Sequence, residues 1–218
     1  KTTFLPMSTN PVQERQEQVL SLVQKLGYAS LNPMQQVAVD GGLLDDHNFV
    51  VSSPTASGKT LVALLKTLSY LQNPARDGKK VVYVVPLRAL AKEKLDQFQA
   101  KLSPLGYSVG LSTGDLDSQA DSLALHDVLI VTSEKINSIL IHSPALVEKI
   151  GLAVIDEVHL LDDEERGSTL EVVITKLLLG SVRLLLLSAT IPNYEELTKW
   201  INGKSVKSTY RPVKLRKC

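Results

Sequence analysis

The sequence predicts an α/β fold, a mostly parallel sheet with helices on both of its faces. Short, continuously apolar runs recur along the chain, as expected for strands that are buried on both faces. These runs cover residues 49–51, 81–85, 108–111, 128–131, 152–155 and 183–187. Helical patterns separate most of the runs, and parallel neighbouring strands need such crossovers. In a sheet of this kind, ligands bind beyond the carboxyl ends of the strands.

The composition is that of a folded chain with a substantial core. The 218 residues, 44% of them hydrophobic, suffice for one large domain or two small ones. With 24 basic and 23 acidic residues the net charge is +1, so charge alone predicts no nucleic-acid partner. The single cysteine, Cys218, cannot form an internal disulfide, and no apolar stretch reaches the length of a membrane span. We therefore expect a cytoplasmic chain without membrane segments, and the start at Lys1 suggests a piece of a longer protein.

Two helices are predicted before the first strand. The first begins at Pro11 and stops at Gly27. In the segment LNPMQQ, Asn32 is the expected N-cap of the second helix, Pro33 its first residue and Gln35 its capping-box partner. Two interpretations of Gln35 stay open on the residues alone. Its amide either completes this cap or reads the adenine edge of a nucleotide bound nearby.

The segment SSPTASGKT, residues 52–60, lies between the first strand and a helix. Backbone N–H groups of such a loop cradle phosphates, Lys59 can reach the outer phosphates, and the Thr60 hydroxyl can bind Mg2+. The predicted nucleotide-binding residues are Pro54, Thr55, Ala56, Ser57, Gly58, Lys59 and Thr60. Ser53 replaces the first glycine of the pattern G-x-x-x-x-G-K-[ST], so only its second half is intact. An ordinary Gly-Lys-Thr helix start is the alternative.

An acidic pair, Asp156 and Glu157, directly follows the buried run 152–155. Two adjacent carboxylates are costly to desolvate unless a cation meets them, and Mg2+ is the natural partner. We predict that Asp156 binds the metal, that Glu157 is the general base for the attacking water, and that His159 links them to neighbouring groups. A polar strand end is the alternative. Ser188, Ala189 and Thr190 follow the last run, where a simple turn is nearly as good an interpretation as a link to the carboxylates.

Seven ordered segments resemble the first motor domain of a superfamily 2 DExH-box helicase. They are LNPMQQ, PTASGKT, PLRALA, STGD, TSEK, DEVH and SAT, and the resemblance runs from about Leu31 to Val213. DEVHLL, the following ERG and YRPVKL are similar to the Ski-like branch, which contains archaeal fork-repair DNA helicases and eukaryotic RNA helicases. The short spacers and LNPMQQ favour the archaeal DNA enzymes.

The resemblance implies a RecA-like P-loop NTPase fold, ATP with Mg2+, and 3′ to 5′ translocation along a single strand. It assigns Gln35 to adenine recognition. Residues 1–210 are then the RecA-like ATP-binding domain, and 211–218 begin a linker to a second RecA-like domain that carries arginine fingers. We expect a monomeric motor on single-stranded DNA, with RNA as the alternative. Without the second half, this chain alone is expected to hydrolyse ATP very slowly and not to unwind duplexes.

The resemblance also assigns nucleic-acid contacts to three loops. The implied residues are Pro86, Leu87, Arg88, Ala89, Thr113, Gly114, Thr132, Ser133, Lys135 and, less firmly, Arg166. Ser188, Ala189 and Thr190 are assigned to coupling between hydrolysis and strand movement. Contacts to phosphates predict binding that tolerates sequence and weakens with salt. For Thr132 and Ser133, N-capping alone is the alternative.

Two other functional classes are alternatives to the motor. One is a nucleotide-dependent scaffold without productive hydrolysis, whose signature would be damage at Lys59, Thr60, Asp156 or Glu157, and all four are intact. The other is a small-molecule phosphotransferase, which would need an acceptor-binding lid.

Overall fold

Seven strands form one sheet in the computed structural model, which describes residues 11–113 and 125–212. The strands are β1 Asn48–Ser52, β2 Lys80–Val85, β3 Val109–Ser112, β4 Val128–Thr132, β5 Ile150–Ile155, β6 Arg183–Ser188 and β7 Gly203–Lys207. Their order is β3-β4-β2-β5-β6-β1-β7, and each neighbouring pair among them is parallel. The predicted parallel α/β sheet is therefore confirmed.

Helices cover both faces of this sheet. They are α1 Pro11–Lys25, α2 Pro33–Asp40, α3 Lys59–Gln72, α4 Arg88–Leu102, α5 Ser133–His142, α6 Gly167–Leu179 and α7 Tyr194–Trp200. Buried apolar residues form two clusters, one beneath α1 to α4 and the other beneath α5 to α7. In β1, Phe49 and Val51 belong to the first cluster and Val50 to the second. This alternation is the two-residue period of a strand buried on both faces.

Both predicted amino-terminal helices are present. Helix α1 begins at Pro11 as expected. At α2 the side chain of Asn32 accepts a hydrogen bond from the backbone N–H of Gln35 at 3.0 Å, and the Gln35 amide oxygen accepts one from Asn32 at 2.8 Å. The capping box is thus formed in full.

Strand β7 was not predicted from the sequence. It pairs with β1 at the edge of the sheet, where Val206 lies opposite Val51 and Lys204 opposite Phe49. An edge strand is covered less than a central one, and residues of β7 are half-buried or exposed. Its sequence GKSVK therefore needs no continuous apolar run, which is the pattern by which the other strands were recognised.

The strand order divides the carboxyl edge of the sheet into two halves. Strands β5, β6 and β1 are adjacent, and they lead into the acidic pair, the segment 188–190 and the phosphate loop respectively. Strands β3, β4 and β2 form the other half and lead into the three loops that were predicted to contact nucleic acid. The parallel topology thus places the two predicted sites side by side.

No helix within 11–113 or 125–212 is both long and apolar enough to cross a membrane.

Candidate nucleotide and nucleic-acid site

The phosphate loop after β1 is held in a shape that requires glycine at position 58. Gly58 has φ +95°, in the left-handed region, and a Cβ there would collide with the side-chain amides of Gln35 and Asn32. The hydroxyls of Ser53 and Ser57 lie 2.8 Å apart, and both are fully buried. This hydrogen bond explains how serine fits where the usual pattern has its first glycine.

Lys59 closes the loop on itself. Its ammonium donates to the carbonyl oxygens of Ser53 and Pro54, at 3.1 Å each. Burial lowers the pKa of Lys59, while the nearby carboxylates of Glu157 and Asp156 act in the opposite direction. The predicted phosphate-binding lysine and the predicted acidic pair therefore lie within electrostatic range of each other.

The cap of α2 also supports the phosphate loop. The Gln35 amide donates to the carbonyl oxygen of Gly58 at 3.1 Å, and the Asn32 amide donates to that of Ser57 at 2.9 Å. An amide has two N–H donors and two oxygen lone pairs, so one of each remains on Gln35 after the cap and the loop contact. Adenine recognition by Gln35 stays a prediction, and it is compatible with both contacts.

Asp156 is fixed by direct contacts on both carboxylate oxygens. One oxygen accepts a hydrogen bond from the Tyr83 hydroxyl at 2.7 Å, and the other accepts the Glu157 backbone N–H at 3.0 Å. Burial and the adjacent Asp156 charge raise the pKa of Tyr83 well above its ordinary value, so the phenol remains a donor. The Asp156 carboxylate is thereby oriented from beneath by the sheet.

One ammonium contacts both residues that were predicted to bind the metal. Lys94, on α4, donates to the Thr60 hydroxyl at 2.9 Å and lies 3.6 Å from Asp156 Oδ2. The described residues contain no group of three or more His, Cys, Asp or Glu side chains that could hold a metal. Mg2+ that is shared with nucleotide phosphates needs only one or two protein oxygens, so this hydroxyl and carboxylate fit it.

Neither Lys94 nor Tyr83 was identified as a site residue from the sequence. A signal was present for Lys94, because it follows Leu90 and precedes Phe98 by four residues each, on the apolar stripe of α4. A lysine on such a stripe requires a buried partner. Tyr83 interrupts the aliphatic run of β2 with one hydroxyl, which also requires a partner when buried.

Glu157 adopts an unusual backbone conformation. Its φ is +53°, in the left-handed region that costs free energy for residues other than glycine. The buried strand β5 ends two residues earlier, and the turn separates the buried carboxylate of Asp156 from the half-buried one of Glu157. Such strained positions recur at functional sites, and the base role of Glu157 stays a prediction.

His159 connects the acidic pair to the segment after β6. Its Nδ1 lies 3.3 Å from a Glu157 carboxylate oxygen and 3.4 Å from the backbone nitrogen of Ala189. Nδ1 can donate to Glu157 only when it carries a proton, and it can accept from Ala189 only when it carries none. Within the described part of the chain, the buried Ser188 hydroxyl has no hydrogen-bond partner. His159 thus contacts this segment at the backbone of Ala189. The coupling roles of Ser188 and Thr190 stay predictions.

Accessibility differs among the residues predicted to contact nucleic acid. Leu87, Arg88 and Ala89 are exposed at the start of α4, whereas Pro86 is buried. The Arg88 side chain is therefore accessible from solvent. Gly114 lies outside the described residues, and Thr113 is half-buried at the end of β3.

The loop after β4 is more enclosed. Thr132 accepts a hydrogen bond from the Lys135 backbone N–H at 3.3 Å, so the N-cap proposed as an alternative role is present. Ser133 is buried, and Lys135 is only 5% exposed. A phosphate contact by Lys135 would require its side chain to move. Arg166 is half-buried, and its backbone N–H donates to Asp163 Oδ1 at 3.0 Å.

Comparisons with known proteins show the family of the chain. Residues 32–197 match the DEAD/DEAH box helicase family. The chain is 44% identical over 202 residues to the ATP-dependent DNA helicase Hel308 of Methanococcus vannielii, covering 91% of the chain and 27% of the relative. It is 42% identical over 201 residues to Hel308 of Pyrococcus abyssi, covering 92% and 27%, and 39% identical over 206 residues to that of Methanocaldococcus jannaschii, covering 92% and 17%.

The chain thus spans about a quarter or less of the length of these curated relatives. The resemblance to superfamily 2 helicases is confirmed, and the chain belongs to the DEAD/DEAH box helicase family.

Proposed function

We propose that this chain is the ATP-binding motor domain of an ATP-dependent DNA helicase that moves 3′ to 5′ along single strands at forks or recombination intermediates. One observation carries the proposal. Thr60 at the start of α3 and Asp156 after β5 come from distant segments, yet both contact the Lys94 ammonium, at 2.9 and 3.6 Å. Two segments that meet around one cationic centre can share one Mg2+–nucleotide complex.

Each residue of this site has a proposed role. Lys59 would leave the loop carbonyls to bind the outer phosphates. Thr60 and Asp156 would hold Mg2+, which would neutralise phosphate charge. Glu157 accepts the proton of the attacking water, because its carboxylate is half-buried beside the fixed Asp156. His159 links the protonation of Glu157 to Ala189, since its Nδ1 faces both.

The nucleic-acid strand is proposed to lie along the other half of the carboxyl edge. Arg88 is exposed there, at the amino end of α4, and such a helix end also favours phosphate. Contacts of this type do not read bases. A second RecA-like domain of the same protein, with arginine fingers, is part of the proposal, and the whole protein is proposed to act as a monomer.

Binding measurements on the chain test the nucleotide site. The fluorescent nucleotide mant-ADP should bind with Mg2+, and Lys59→Met should weaken binding by about tenfold to a hundredfold, because a charge-assisted contact to phosphate is lost. Lys66→Met is the matched control, because Lys66 is a buried lysine of the same helix that contacts Asp45 instead of the loop. The absence of Mg2+-dependent binding by the unsubstituted chain would refute the proposal.

Anisotropy with labelled single strands tests the substrate. Oligo-dT should bind in a salt-dependent manner, and Arg88→Ala should weaken this binding and reduce its salt slope by about one. Tighter binding of the matched oligo-rU would favour RNA as the substrate.

A further inference from the structure

The ammonium of Lys94 occupies a position between the two predicted metal ligands. It donates to the Thr60 hydroxyl at 2.9 Å and lies 3.6 Å from the Asp156 carboxylate. The side chains of Lys94 and Asp156 are only 13% and 7% exposed. A buried ion pair in such a position is costly to break on one side only. Lys94 is thus held by the two side chains that were predicted to bind the metal.

An ammonium and Mg2+ cannot both remain in this position. The Lys94 ammonium uses one of the two lone pairs of the Thr60 oxygen and lies beside Asp156, so a metal bound to both side chains would have to sit next to this ammonium. Two cations held by the same hydroxyl and carboxylate would also repel each other. Binding of a metal–nucleotide complex therefore requires Lys94 to move.

We propose that Lys94 is a positioning residue that takes the place of the metal in the nucleotide-free domain. It holds Thr60 and Asp156 together, with Tyr83 orienting Asp156 from the sheet, and it is displaced when the Mg2+–nucleotide complex binds. The inference rests on the proposed function for the identity of that ligand. It adds Lys94 to the site, a residue of α4 that lies outside the phosphate loop and the acidic pair. The contacts of Lys94 would then depend on bound nucleotide.

The position of Lys94 in the fold gives this displacement a consequence. Helix α4 begins at Arg88, six residues and about 9 Å along the helix axis before Lys94. Its first turn belongs to the half of the sheet edge that was predicted to contact nucleic acid, and Lys94 reaches into the nucleotide half. The loss of the Lys94 contacts would therefore remove a direct side-chain link between α4 and the nucleotide site.

The test compares Lys94→Met with the unsubstituted chain. The measurements are the melting temperature without nucleotide and the Mg2+ concentration that gives half-maximal binding of mant-ADP. Lys92→Met is the matched control, because Lys92 lies on the same helix with its side chain 68% exposed and pairs with Asp96. Lys94→Arg retains the cation, and Lys94→Gln removes the charge but keeps a donor.

We expect Lys94→Met to lower the nucleotide-free melting temperature by about 5 to 10 °C, because Asp156 loses its charged partner. The half-maximal Mg2+ concentration should fall by about threefold to tenfold, because no ammonium has to be displaced. In Lys94→Arg, the half-maximal Mg2+ concentration should lie within about twofold of the unsubstituted value, and the melting temperature within a few degrees of it. Lys92→Met should change neither quantity.

Three results would overturn the inference. One is weaker mant-ADP binding by Lys94→Met at every Mg2+ concentration, since Lys94 would then be a nucleotide contact. Another is an unchanged Mg2+ dependence with a lowered melting temperature, since Lys94 would then only stabilise the fold. The third is a Lys94→Met variant whose melting temperature and Mg2+ dependence both match those of Lys92→Met. If Lys94→Met does not fold, Lys94→Gln decides by the same criteria. Failure of the unsubstituted chain to bind mant-ADP would instead reject the proposed function.

Discussion

Buried lysines lie at both the amino end and the carboxyl end of the sheet strands, but the groups around them differ. At the amino end, Lys66 donates to the Asp45 carbonyl oxygen at 2.7 Å. Around it, Asp46 accepts two hydrogen bonds from Arg183, at 2.6 and 3.1 Å, and Asp45 pairs with Arg15 and Lys204. The two carboxylates are thus neutralised by side chains from α1, β6 and β7. These ion pairs connect the ends of elements that are distant along the chain.

At the carboxyl end, the lysines contact groups that a ligand can replace. Lys59 is bonded to carbonyl oxygens of its own loop, and Lys94 lies between a hydroxyl and a carboxylate. The difference teaches that burial of a lysine does not identify a site. The groups around the ammonium do, because Lys94 lies beside a hydroxyl and a carboxylate that can bind metal, whereas Lys66 lies among acids that already pair with Arg183, Arg15 and Lys204.

The largest effect is expected from Glu157→Gln. It should lower single-strand-stimulated ATP turnover in the full-length protein by about a hundredfold to ten-thousandfold, since it removes the proposed general base. Binding of mant-ADP and the melting temperature should stay close to the unsubstituted values. Glu165→Gln, an exposed acid nearby, is the control and should turn over normally. Retained turnover in Glu157→Gln would remove the base assignment.

The contribution of Lys66 to folding stability should instead depend on pH. Burial lowers the pKa of Lys66 from 10.5 to about 8. Between these values the unfolded chain holds the proton that the folded domain has released, so folding stability rises with pH. The free energy of unfolding, relative to Lys66→Met, should increase by about 3 kcal/mol from pH 8 to 10.5 and be lost again as pH falls through about 8. Denaturant titrations of both chains across this pH range measure the difference in free energy of unfolding. A difference that does not change with pH would contradict the prediction.

The smallest effect is expected from Asp46→Asn. Its side chain is 83% exposed, so the ion pair with Arg183 is screened by water. The free energy of unfolding should fall by less than about 1 kcal/mol, and the difference should shrink at high salt. Asp162→Asn serves as the reference for an exposed acid elsewhere. A loss above about 2 kcal/mol would mean that the amino-end cluster acts as one cooperative network.

The sequence allowed the central strands, the capping box and the proximity of Lys59 to the acidic pair to be predicted. Each leaves a local pattern, such as a continuous apolar run or a fixed spacing of cap residues. Strand β7 left none, because its residues are half-buried or exposed and only Val206 among them is a large apolar residue. The contact of Lys94 with Thr60 and Asp156 depends on the packing of three elements, and spacing along the chain does not encode which oxygens an ammonium will meet.

The placement of β1 in the sheet has a consequence for how the domain matures. Its two neighbours, β6 and β7, are the last strands of the described chain. During synthesis the apolar strand that leads into the phosphate loop emerges early, yet it has no sheet to join until those partners follow. Non-local pairing of this kind slows folding and leaves an unpaired strand open to aggregation in the meantime. Competence to bind nucleotide is therefore acquired only after β6 and β7 have been synthesised and have paired with β1.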